Sequence, residues 1–198
     1  MSHPYDYLTQ TAHETQAIQK KFFEECGHRL LEAAALLGRC VRGGGKVLIC
    51  GNGGSAADAQ HMAAEMVGRM LVDRRPLPAI ALTTDSSNLT AIGNDFGYDQ
   101  VFVKQVQALA KSGDVLLAIS TSGNSKNIVL AVEAARAQGC KVIALTGGSG
   151  GKLKGLCDIF LNASLGSNSS RIQESHIFAV HSMVDLLDRF YLEGDSTP

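Results

Sequence analysis

The chain has 198 residues, 45% of them hydrophobic and 19% charged, and a formal net charge of −1. That length suits one domain with a full core, and so small a charge gives no electrostatic footing for nucleic acid or for a membrane surface. No apolar run nears the roughly 20 residues that cross a bilayer, and residues 1–21 lack the apolar stretch of a secretion signal, so the cytoplasm is the expected compartment.

Apolar residues at helical spacing, among them Phe22, Phe23, Leu30, Leu31, Ala34, Leu37 and Val41, predict two helices between Tyr5 and Val41. Gly43-Gly44-Gly45 stops the second. Their apolar faces exceed what a small sheet needs, which points to packing between subunits. A strand follows at Lys46–Cys50 and a helix at Ser55–Leu71, and after Pro76 and Pro78 a strand at Ala79–Leu82. Asp85 to Gly97 reads as turns with a short helix near Asn88, and Tyr98–Lys111 as a helix. The alternation then repeats, with strand Val115–Thr121, helix Ser125–Gln138 and strand Lys141–Thr146. A glycine-rich loop, Gly147 to Gly151, leads to a last strand at Asp158–Asn162 and a long helix at Ser170–Leu192, and the tail Gly194–Pro198 is expected to fray.

Short strands alternating with helices make an α/β domain with a parallel sheet covered on both faces. No linker interrupts residues 1–198, and residues 1–42 form the N-terminal helical part. In such sheets a ligand sits beyond the carboxyl ends of the strands. The five cysteines, Cys26, Cys40, Cys50, Cys140 and Cys157, show no CxxC spacing and read as small buried hydrophobes in a reducing compartment.

Two hydroxyl-rich loops stand at that edge. Gly51-Asn52-Gly53-Gly54-Ser55 follows the first strand, and Ser120-Thr121-Ser122-Gly123-Asn124-Ser125 follows the third. A helix start offers unpaired N–H groups and the positive end of the helix dipole, glycines admit close approach, and hydroxyls complete the bonding. Four hydroxyls in six residues exceed what one N-cap requires. Two such loops point to a phosphorylated, hydroxyl-bearing ligand, a sugar phosphate. Gly51-x-Gly53-x-x-Ala56 also satisfies the dinucleotide fingerprint, but Asp73 lies in a polar loop and not at the end of the next strand, which argues against that cofactor. A nucleotide P-loop is absent from the sequence.

His61 and Glu65 are four residues apart on one helix face, and Gln173 and His181 share a side of the last helix. Mixed nitrogen and oxygen donors of this kind suit a divalent ion such as zinc. The same spacing also suits a solvated His61–Glu65 pair with His181 in the core. Arg69, four residues past Glu65, reads as a surface cation or an ion-pair partner. Asn94-Asp95 suits an Asx turn or a bond to a sugar hydroxyl. His176 is a weaker candidate than His181, and His3, His13 and His28 have no partners in pattern.

Six stretches together resemble the sugar isomerase (SIS) domain family and, within it, the phosphoheptose isomerases. They are Gly51 to Ser55, Ala79 to Leu82, Gly93-Asn94-Asp95-Phe96-Gly97, Gly113 to Leu117, Ser120 to Ser125, and Arg171-Ile172-Gln173-Glu174. The resemblance spans almost the whole chain. It implies a flavodoxin-like three-layer sandwich around a mainly parallel five-stranded sheet, with extra N-terminal helices. It implies conversion of D-sedoheptulose 7-phosphate to D-glycero-D-manno-heptose 7-phosphate through an enediol, the first step toward the activated heptose of lipopolysaccharide and other surface glycans. It also implies a homotetramer with active sites at subunit interfaces.

Carried over by position, Ser55, Ser120, Thr121, Ser122 and Ser125 would hold the phosphosugar, with Asn52, Gly53, Gly54, Glu65, Arg69, Asn94, Asp95 and Gln173 beside them. His61, Glu65, Gln173 and His181 would form a zinc site, one per subunit. Glu65 and His181 would be the acid/base pair. Several relatives carry Asp where this chain has Ser170, which removes a charge from that wall. Non-catalytic relatives, including one that assembles a bacterial replication initiator, share the fold and loops but lack the carboxylate and the final-helix histidine. Glu65 and His181 favour the enzyme. Sugar-phosphate-sensing regulators usually add a DNA-binding domain, for which this chain has no room.

Overall fold

The computed structural model describes residues 3–192, so the expected fraying of Gly194–Pro198 lies outside the described residues. Helix α1 runs without a break from Pro4 to Arg42, 39 residues, where two helices were expected. Pro4 opens it, and the His3 ring and the Asp6 carboxylate form a reciprocal cap. Gly27 and Gly38 lie inside it, and an isolated glycine costs about 1 kcal/mol without breaking a helix that is packed from Ile18 to Val41.

Five strands follow: β1 (Val47–Gly51), β2 (Ala79–Ala81), β3 (Val115–Ile119), β4 (Lys141–Gly147) and β5 (Ile159–Ala163). They form one sheet in the order β2-β1-β3-β4-β5, parallel throughout. The connecting helices are α2 (Gly54–Val67), α3 (Ser86–Phe96), α4 (Val103–Leu109), α5 (Lys126–Ala137) and α6 (Ser169–Leu186). The segment expected to be turns with a short helix near Asn88 is helical almost throughout, as α3, begun by Asp85, whose carboxylate accepts from Asn88 N. The helix expected from Tyr98 is a single tight turn followed by the shorter α4.

Side chains on a strand alternate between faces, and both faces here are apolar. Val47, Ile49, Val115, Leu117, Ile119, Ile143 and Leu145 pack under α1, α2 and α6. Leu48, Cys50, Leu116, Ala118, Val142 and Ala144 pack under α4 and α5. This sorting has two consequences for function. It places α2 and α6 side by side on one face, and it makes β1 and β3 neighbours whose connections leave in opposite directions. The crevice between their carboxyl ends is where ligands bind in such sheets.

Candidate active site

Both hydroxyl-rich loops meet in that crevice. A cleft of about 270 Å³ is lined by Asn52, Gly53, Gly54, Ser55, Ile119, Ser120, Thr121, Ser125, Ser169 and Gln173. In the second loop Ser125 is the N-cap of α5, yet its hydroxyl turns to Ser120 Oγ at 3.0 Å and makes no cap bond. The first N–H groups of α5 are therefore left to whatever enters the cleft. Gly123 gives this loop its shape: its φ is +65°, and a Cβ there would lie 1.9 Å from the Gly150 carbonyl. Asn124 ties the loop to the next one, its Oδ1 accepting from Lys152 N at 3.1 Å.

Helix α6 bridges the two loops. Ser169 Oγ faces Thr121 Oγ1 at 3.4 Å. One turn on, the Gln173 carboxamide lies over Gly54 so closely that a Cβ at that glycine would be 2.5 Å from Nε2. Ser169 was not anticipated from sequence. It falls at the first residue of α6, where hydroxyl residues are ordinary helix starters.

Farther along the same two helices, three side chains converge. His61 Nε2 stands 3.1 Å from Glu65 Oε1 and 3.1 Å from His181 Nε2, and His181 Nε2 is 3.7 Å from Glu65 Oε1. All three ligand atoms lie within 4.8 Å of one another. A tetrahedral zinc with bonds near 2.1 Å sets its ligands about 3.4 Å apart, so these spacings fit one ion. Glu65 Oε1 turns to both imidazoles while Oε2 is buried without a partner. The two rings are half-exposed and the carboxylate is mostly covered.

Two neighbours of this cluster escaped the sequence analysis. Asp58 lies one turn before His61; burial pushes its carboxyl up to about 6, against the pull of His61, and its Oδ2 has no partner. Arg74, in what read as a plain polar loop, closes the end of α2. It donates to the carbonyls of Glu65, Met66 and Gly68 at 2.8, 2.8 and 2.9 Å, and its Nε binds Asp188 beyond α6 at 2.8 Å. It fixes the helix that carries Glu65 to the segment that follows the helix carrying His181.

Other expected residues stand apart. Ser122 is exposed, its hydroxyl accepting from Asn124 N at 3.2 Å. Asn94 and Asp95 are exposed near the end of α3, bonded to each other at 2.8 Å, and do not line the cleft. Arg69 is exposed past the end of α2. Burial pushes the Cys50 thiol, beneath the first loop, up to about 12, so it is no nucleophile at neutral pH.

The chain matches the SIS domain family over residues 10–147. It is 52% identical over 190 residues to the phosphoheptose isomerase of Neisseria meningitidis serogroup B, covering 92% of this chain and 95% of that one. Among solved structures it is similar to the phosphoheptose isomerase of Neisseria gonorrhoeae, with a TM-score of 0.89 and 46% identity over 94% of this chain and 99% of that one. A phosphoheptose isomerase from Francisella tularensis gives a TM-score of 0.90 and 40% identity over the same shares of each chain.

Proposed function

The chain belongs to the SIS domain family, among its phosphoheptose isomerases, and from that premise we propose how its cleft works. The reaction is isomerisation of D-sedoheptulose 7-phosphate to D-glycero-D-manno-heptose 7-phosphate. The observation that carries the residue assignment is the meeting of Glu65 and His181 on the two helices that also wall the hydroxyl-rich cleft.

The phosphate enters between the loops. Ser55, Ser120, Thr121 and Ser125 supply hydroxyls, and the start of α5 supplies N–H groups and its dipole. Ser122, Asn94, Asp95 and Arg69 are retained as ligands of the rest of the sugar. Glu65 takes the C1 proton on its carboxylate. The electron pair released forms the C1–C2 double bond as the C2 oxygen takes a proton from His181, and an enediol results. His181 then takes the proton of the C1 oxygen, the C1 carbonyl forms, and Glu65 returns its proton to C2. His61, Glu65 Oε1 and His181, with Gln173 on the same helix, are the residues we assign to zinc, one per subunit. Zinc, when bound, supplies Lewis acidity toward the sugar carbonyl and steadies negative charge on the sugar oxygens.

We assign the enzyme to the cytoplasm and its product to activated heptose for lipopolysaccharide and related glycans. Free cysteines, four of them buried, suit a reducing compartment. No helix among the described residues is long and apolar enough to cross a membrane. We further assign a homotetramer with active sites at subunit interfaces, a form suited to the half-exposed rings of His61 and His181.

The test is turnover of sedoheptulose 7-phosphate followed by NMR, with chelator and with added zinc. Aldoheptose 7-phosphate is expected, less of it after chelation. Glu65→Gln and His181→Gln are each expected to lower kcat by about 10²- to 10⁴-fold, the usual worth of general acid/base groups. Near-normal turnover in either variant removes that residue from its role. No turnover in any condition, with sugar-phosphate binding kept, makes the chain a binding module.

A further inference from the structure

Asn52 stands in the first loop, where the motif marks it as a substrate ligand, yet its carboxamide is already engaged. Its Nδ2 donates to Asn127 Oδ1 and its Oδ1 accepts from Asn127 Nδ2, both at 2.9 Å. The Tyr98 hydroxyl donates to the same Oδ1 at 3.2 Å. Only one N–H of the Asn52 carboxamide remains for anything else.

We propose that Asn127 is a positioning residue of the phosphosugar cleft, its carboxamide locking the loop after β1 to the loop after β3 so that both grip one phosphate. This rests on the phosphate-binding reading above. Asn127 is the second residue of α5, two positions after the N-cap Ser125, and only 3% of it is exposed. Ile128, Ala131 and Val132 around it are buried and apolar. A leucine would suit such a place on packing grounds, and burying a carboxamide is unfavourable unless its bonds are made. Here they are made to one partner, 75 residues away, on the other ligand loop.

The form of the link explains its use. Two opposed N–H···O bonds between planar amides are satisfied in a single alignment, so a relative slip of the loops breaks both at once. The pair carries no net charge, so it holds the loops together without repelling an anion, as a carboxylate in either place would. Lys126 beside it binds Asp99 at 2.5 Å. That contact secures the turn that carries Tyr98 to the same helix start. Loop one, loop two and the Tyr98 turn thus meet at the Asn52 carboxamide.

The experiment measures KM and kcat for sedoheptulose 7-phosphate, and the Kd of inorganic phosphate, for the full-length protein and for Asn127→Ala, Asn127→Asp, Asn52→Ala and the double Asn52→Ala/Asn127→Ala variant. Small misplacements of binding groups cost up to about 10²-fold. A rise of about tenfold in KM and in phosphate Kd is therefore expected for each single variant, with kcat falling by less. Because both residues act through one link, the double variant is expected to be no worse than either single one. Asn127→Asp keeps the shape of the side chain but turns a donor into an acceptor facing Asn52 Oδ1, so it reports on the link even where the alanine variant folds poorly. Unchanged KM and phosphate Kd in the Asn127 variants, or losses that add in the double variant, overturn the proposal. Failure of the unaltered protein to bind phosphate or sugar phosphate at all would instead overturn the phosphate-binding reading on which it rests.

Discussion

His176 shows how a residue can matter here without touching a ligand. It is fully buried between α6 and β4, where Nε2–H donates to the Thr146 carbonyl at 3.0 Å and Nδ1 has no partner. Burial pushes its pKa from 6.5 down to about 4. The folded protein therefore refuses a proton that the unfolded chain accepts. Between pH 6.5 and 4 the unfolded state binds more protons, so stability falls as the pH is lowered through that window. The full effect is about 3 kcal/mol. His176→Gln can keep the bond to Thr146 and cannot titrate, so it is expected to flatten this acid limb. Thermal unfolding from pH 7 to pH 4 checks it, and an unchanged pH slope would show that the limb belongs to other groups. His61 and His181 contrast with it: half-exposed and facing a carboxylate, they are placed for chemistry and not for packing.

At the scale of elements, what could be read in advance was what repeats locally. The β1 and β3 runs are apolar at every interior position, and β4 at all but Thr146, because both faces are covered, and short apolar runs declare themselves. The pairing of His61 with Glu65 follows from helical spacing alone. Their meeting with His181 does not, since it depends on α2 and α6 being sorted to the same face of the sheet. Helix α3 was hidden by its composition: Ser86, Ser87, Asn88, Thr90 and Gly93 are poor helix formers, and the Asp85 cap that starts it looks like any turn. The undivided α1 was hidden for the opposite reason, since nothing in its sequence says whether a long amphipathic run folds back. Asn127, Ser169 and Arg74 carry no periodic signal. Their roles lie in bonds to loops and helix ends that are distant in sequence.

For the whole molecule, the long first helix is the feature that a single chain leaves unfinished. At 1.5 Å per residue it is about 58 Å long. Residues 4–10 of it are exposed throughout, with Tyr5, Tyr7 and Leu8 at 69%, 70% and 62%. A few helical turns without tertiary packing are marginal in water. Farther along, α1 and α6 enclose an apolar groove of about 520 Å³ lined by Phe23, Leu31, Phe178 and Leu186. Apolar surface of this kind marks association. Phe23→Glu is expected to shift the assembly toward smaller species, read by light scattering at micromolar concentration. A variant that keeps the mass of the unaltered protein would place Phe23 outside the contact, and a stable monomer of the unaltered protein would remove the tetramer. The clustering of Glu65, His61 and His181 within one chain has its own consequence, which is genetic. Subunits damaged at Glu65 and subunits damaged at His181 can mingle in one assembly, yet no site in it regains an intact trio. Two such alleles co-expressed in one cell will not complement each other.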